Sequence, residues 1–171
     1  MKYVRLNQNA WPFPWPHPPI HVALIEPEIP PNTGNIARLC AATGSPLHLV
    51  GKLGFDISDR AVKRAGLDYW DSVEMVRHKT FEEFQQALRP ARFFYFSTKA
   101  DRAYTDVRYK PGDVLVFGGE TRGLPQVILE SNKDRLLGIP IRADHVRSLN
   151  LATAVGIVLY EALRQMVKIS A

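Results

Sequence analysis

One cysteine among 171 residues leaves Cys40 without an intrachain partner. No internal disulfide can form, and a Cys/His zinc site has no ligand set to draw on. The five histidines are scattered, and no metal is expected. No run approaches the roughly 18 consecutive apolar residues that a membrane span requires, so no membrane partner is expected either. Residues 1–19 lack the continuous apolar stretch of a secretory signal. These absences suit a reducing, cytoplasmic setting. Nucleotide fingerprints are missing as well. Residues 118–125 read Gly-Gly-Glu-Thr-Arg-Gly-Leu-Pro, with Leu124 and Pro125 where a phosphate-binding P-loop needs Lys and then Ser or Thr. The G-x-G-x-x-G spacing of dinucleotide folds is absent too, which disfavours a nicotinamide-dependent oxidoreductase. Neither repeat nor linker divides the chain.

What is present reads as one α/β domain, residues 20–171, behind a Pro/Trp-rich extension, residues 1–19, expected to be flexible. Short apolar runs at 21–25, 47–50, 93–96 and 114–117 predict strands, with weaker ones at 73–76 and 137–141. Helices are predicted from about 35 to 43, stopped by Gly44, from Ser58 through a basic stretch, from Thr80 to Leu88, near Pro125, and from 151 to 166. In the last, Leu151, Val155, Val158, Ala162 and Met166 form an apolar stripe, and Ser148 or Asn150 is placed to cap it. Alternating strands and helices predict a mostly parallel sheet with helices on both faces. In such folds ligands collect beyond the carboxyl ends of the strands, where the loops 26–34, 118–125 and 142–150 fall. A net charge of +5 is compatible with a polyanionic partner without deciding for one.

Four segments in these loops and helices carry a resemblance: Glu26-Pro-Glu-Ile-Pro-Pro-Asn-Thr-Gly-Asn-Ile-Ala-Arg-Leu-Cys40, Arg64-Ala-Gly-Leu-Asp-Tyr69, Phe117-Gly-Gly-Glu-Thr-Arg-Gly-Leu-Pro125, and Ile139-Pro140 with Ser148-Leu-Asn-Leu151. In this order the chain from His21 onward resembles the SPOUT-class RNA 2′-O-ribose methyltransferases, and within them the small tRNA (cytidine/uridine) wobble-position enzymes of the TrmL/YibK type. The resemblance implies a SPOUT fold with a C-terminal deep trefoil knot, S-adenosylmethionine as cofactor with S-adenosylhomocysteine as product, tRNA as partner, and a homodimer with composite active sites. Methylation of ribosomal RNA or another tRNA position, or non-catalytic RNA binding, are the alternatives.

Carried over by motif, the implied catalytic residues are Arg38, Asn32, Glu120, Ser148 and Asn150. Arg38 is expected to orient the ribose, and Asn32 and Glu120 to fix Arg38 and the loops. The implied cofactor contacts are Phe96, Gly118, Ile139, Ser148 and Leu151, with Gly118 needed because the ligand lies against the backbone. Arg38, Lys63, Arg64, Arg77, Lys99 and Arg147 are the expected RNA contacts, with Arg102 a further one. Val158, Leu159 and Tyr160 are expected to supply a dimer face. Gly119 stands where the family often carries another residue, a departure that is expected to be tolerated.

Overall fold

Strand residues in this chain alternate between two apolar faces, and each face has its own helices to cover it. The computed structural model describes residues 13–57, 60, 70–142 and 144–167. The strands are β1 (His21–Ile25), β2 (Leu47–Val50), β3 (Met75–His78), β4 (Phe93–Phe96), β5 (Val114–Phe117) and β6 (Leu136–Leu137). They form one sheet in the order β3-β2-β1-β5-β4-β6, and every pairing is parallel. Val22, Leu24, Leu47, Leu49, Phe94, Phe96, Leu115 and Phe117 point to one face. There they meet α1 (Pro30–Thr43) and the last helix, α4 (Leu151–Met166). Ala23, Ile25, Val50, Phe93, Tyr95, Val114 and Val116 point to the other, under α2 (Phe81–Ala87) and α3 (Gln126–Ser131). Strands buried on both faces read as continuous apolar runs, which is why four of the six are evident in the sequence.

The differences from expectation have local causes. Helix α1 begins at Pro30, five residues before the expected start at 35, with prolines in its first two positions. Proline's fixed φ and missing N–H suit a first turn. Gly44 ends it at φ 65, its N–H bonded to the Cys40 carbonyl. Strand β3 lies two residues later than 73–76, in register with β2 through His48–Val76 and Val50–His78. The last strand is 136–137, not 137–141: Pro140 has no N–H to give a ladder. Thr80 caps α2 by accepting the Glu83 N–H, and Asn150, not Ser148, caps α4 by accepting that of Thr153. The helix expected from Ser58, with Lys63 and Arg64, lies outside the described residues.

Three histidines bridge neighbouring strands beneath α2. His21 Nδ1 lies 3.0 Å from His48 Nε2, and His48 Nδ1 lies 2.9 Å from His78 Nε2. The rings of His48 and His78 pack on Phe84. Within the extension, Phe13 packs against the core cluster and meets the half-exposed Trp15 with the rings tilted by 50°.

Candidate active site

Strand order reverses between β1 and β5, and beyond the carboxyl ends on that side a cavity of about 590 Å³ opens. Phe96 and Phe117, the last residues of β4 and β5, stack at 4.7 Å and 16° and both line it. Ile139 and Ile141 line it as well, instead of lengthening the sheet. The N-terminus of α4 contributes Leu151 and Ala154.

The loops are joined by a continuous run of hydrogen bonds. The Glu120 carboxylate accepts the Glu28 N–H through Oε2 at 2.7 Å, and the Ile29 N–H at 3.1 Å and Asn32 Nδ2 at 3.2 Å through Oε1. Asn32 Oδ1 accepts Asn150 Nδ2 at 2.9 Å, and Asn150 Oδ1 accepts the Thr153 N–H. Helix α1 has no capping side chain of its own. A carboxylate 91 residues away supplies the acceptor for Ile29, and its charge sits favourably at the positive end of the helix. In return, Glu28 Oε2 accepts the Thr121 N–H at 2.9 Å. Bonds from the Thr121 side chain and main chain, with Arg122 nearby, hold the Glu28 carboxyl below the usual range.

The glycines of 118–125 answer to the chain itself. A Cβ on Gly118 would lie 2.0 Å from the Gly123 carbonyl carbon, so the turn's own return already requires glycine there. A Cβ on Gly119 would lie 2.7 Å from the Glu26 carbonyl oxygen, so the backbone of β1's exit passes against this glycine.

Phe96, Gly118, Ile139, Ser148 and Leu151, the five expected cofactor contacts, all line the cavity together with Asn32, Glu120, Asn150, Lys99 and Arg147. Lys99 is shared with a smaller cavity of about 360 Å³, which Arg102 also lines. Arg38 is exposed on α1 and not part of the lining. Arg77 lies on β3, its Nη2 donating to the Gly51 carbonyl at 3.3 Å. Val158 and Leu159 are fully buried in the core, so of the expected dimer face only Tyr160, half exposed, is free to meet a partner. Burial pushes the Cys40 thiol up to about 12, which leaves no thiolate for chemistry. Glu28, Thr121 and Arg122 are site residues that sequence reasoning did not single out. They sit inside two of the resembling motifs, but the bonds that join them cross 93 residues.

Residues 19–160 match the SpoU rRNA Methylase family. The tRNA (cytidine(34)-2′-O)-methyltransferase of Escherichia coli (strain K12) is 47% identical over 148 residues, covering 86% of this chain and 94% of that protein. A solved structure from work on the 2-OH methylation of C/U34 on tRNA is 49% identical with a TM-score of 0.82, covering 86% of this chain and 95% of its own. The AdoMet-bound rRNA methyltransferase of Sinorhizobium meliloti is 31% identical with a TM-score of 0.77, covering 87% of this chain and 57% of its own.

Proposed function

The chain belongs to the SpoU methylase family, and from that membership we propose that it methylates the ribose 2′-hydroxyl of the wobble nucleotide, cytidine or uridine, in a tRNA anticodon. One observation carries the reading: a single cavity is lined at once by the five residues assigned to the cofactor and by Asn32, Glu120 and Asn150. Ribosomal RNA is the weaker substrate reading. The rRNA enzyme is 31% identical and matched over 57% of its length, whereas the two wobble-position relatives are matched at 47% and 49% over 94% and 95%.

S-adenosylmethionine supplies an electrophilic methyl group on a sulfonium when bound. The residues present fit it: the cavity's size falls within the roughly 300–1,000 Å³ of small-molecule sites, and Phe96, Ile139, Leu151 and the main chain at Gly118 offer apolar and backbone contacts. The chain's own task is alignment of the attacking oxygen, which can supply much of a rate enhancement. Asn32, Glu120 and Asn150 keep the three loops in register, and Ser148 stands exposed at the mouth to meet the substrate. Arg38 orients the ribose and its phosphate, since a guanidinium is a poor base. The Glu120 oxygens receive three N–H groups, which commits that carboxylate to holding the loops. Lys99 and Arg147 are the phosphate contacts closest to the reaction.

Arg38 lies off its own cavity, which fits a homodimer whose sites are completed by the partner's α1, with the exposed Tyr160 at the interface. The C-terminal segment is read as threaded in a trefoil knot. The loop between β4 and β5 supports this, since it bonds both to residues 137–138 ahead of α4 and to Gln165 near the end of α4. No helix among the described residues is long and apolar enough to cross a membrane, and the cytoplasm, where tRNA resides, is the proposed setting. Incubating the protein with labelled S-adenosylmethionine and total tRNA, then mapping the labelled nucleotide, tests the function. Label is expected on the wobble ribose, and label at another position or on no tRNA overturns the proposal.

A further inference from the structure

Glu28 is a half-buried carboxylate that turns back into the protein, although solvent is within reach. Its main-chain N–H is held by Glu120 at 2.7 Å, while its side chain holds the Thr121 N–H at 2.9 Å. Each of two loops thus gives a carboxylate to the backbone of the other, an arrangement that fixes both with charge-assisted bonds. The fit leaves no slack. A Cβ on Gly119 would lie 3.4 Å from Glu28 Oε1, and one on Gly54 would lie 2.9 Å from the Glu28 Cα. Gly54 also donates its N–H to the adjacent Pro27 carbonyl at 3.0 Å. Three segments, 26–29, 51–54 and 118–122, therefore converge on this residue.

Glu28 is not among the residues that line the cavity, while Ile29, Glu120, Thr121 and Arg122 all are. We propose that Glu28 is a positioning residue for methyl transfer, acting through Thr121 and Glu120 to set the cavity wall formed by residues 118–122. A free 118–122 turn would have to be ordered by the ligand, at a cost in affinity. A turn already held by Glu28 receives the ligand without that cost, as preorganised sites do. The bonds from Thr121 keep the Glu28 carboxyl ionised at neutral pH, so the clamp is closed under ordinary conditions. Gln at this position keeps the bulk and an oxygen that can accept the Thr121 N–H but drops the charge, and Ala drops all three, so the two variants separate the charge from the rest of the side chain, and exchange at Thr121 reads the bond itself.

This inference rests on the proposed cofactor, and its test is read out apart from turnover. Calorimetry with S-adenosylhomocysteine is run on the wild-type protein, Glu28→Ala and Glu28→Gln, alongside amide exchange of residues 118–125. Glu28→Ala is expected to weaken binding at least tenfold and to speed exchange at Thr121. Glu28→Gln is expected to stay within about threefold of wild type, with both variants keeping their affinity for tRNA. Wild-type affinity for S-adenosylhomocysteine in Glu28→Ala overturns the inference. So does an equal loss in Glu28→Gln and Glu28→Ala with matching falls in melting temperature, which marks a purely structural side chain. If the wild-type protein binds the nucleoside but methylates no tRNA, the substrate reading fails while the comparison among variants still decides the role of Glu28.

Discussion

At Gly119 the main chain passes so close to the exit of β1 that a Cβ would stand 2.7 Å from the Glu26 carbonyl oxygen. Glu26 has little freedom to withdraw, since it already sits at φ 49 and its N–H is bonded to the Val50 carbonyl at 2.9 Å. Gly119→Ala is therefore expected to destabilise the fold by about 1–3 kcal/mol, the usual cost of forcing atoms into a packed site, read by urea denaturation. Arg38 asks for the opposite profile. It lies off the cavity lining, so Arg38→Ala should lower methyl transfer by about 100-fold, the scale of a lost alignment contact, with cofactor affinity unchanged in calorimetry. An equal loss of cofactor affinity would refute the orienting role.

Among the elements, β1, β2 and β3 are joined by side chains as well as by their ladders. A neutral imidazole has one donor and one acceptor nitrogen, so the His21–His48–His78 series runs in one direction or the other. It can hold a single extra proton with both bonds intact; protons on both end rings would aim two donors at His48, which can accept only one. Glu74 faces His21, and Glu83 and Arg77 face His78. Burial is the leading cause of depression in all three, and burial together with the neighbouring His21 and His78 brings His48 from the ordinary 6.5 to about 3. The unfolded chain binds these protons first, so the stabilisation is complete above pH 6.5 and is lost as pH falls below it. His48 alone should cost about 2 kcal/mol between pH 6.5 and 5, by linkage. Denaturation at pH 7 and 5 should show this fall, and His48→Gln, which cannot charge, should flatten it. The elements that β-branched and aromatic runs announce, β1, β2, β4 and β5, are legible in the sequence. The start of α1 is not, because its cap is borrowed from residue 120, nor are the bounds of β6, whose two residues pair with Tyr95 and Phe96 of β4 before Pro140 ends the ladder.

For the whole molecule, the convergence of loops 26–34, 118–125 and 142–150 follows from the parallel topology alone, since each leaves the same edge of the sheet. The identities of the joining residues do not follow, because nothing local pairs Glu28 with Thr121 or Asn32 with Asn150. The composite-site reading is tested by mixing two variants. Arg38→Ala and Glu120→Ala, each strongly impaired alone, should regain activity when co-expressed. If Arg38 serves the partner's cavity, one site in each mixed dimer is intact, giving roughly a quarter of wild-type activity from random pairing in a two-fold dimer. If Arg38 serves its own cavity, the mixture stays impaired.

The borrowed cap on α1 has a consequence in time. Ile29 leaves the ribosome well before Glu120, and at about 5–20 residues per second the helix waits several seconds for its acceptor. Cys40, sealed on the finished protein, belongs to that waiting helix. A thiol reagent should label it on nascent chains arrested short of residue 120 and spare it on released protein, so the thiol marks how far synthesis has run.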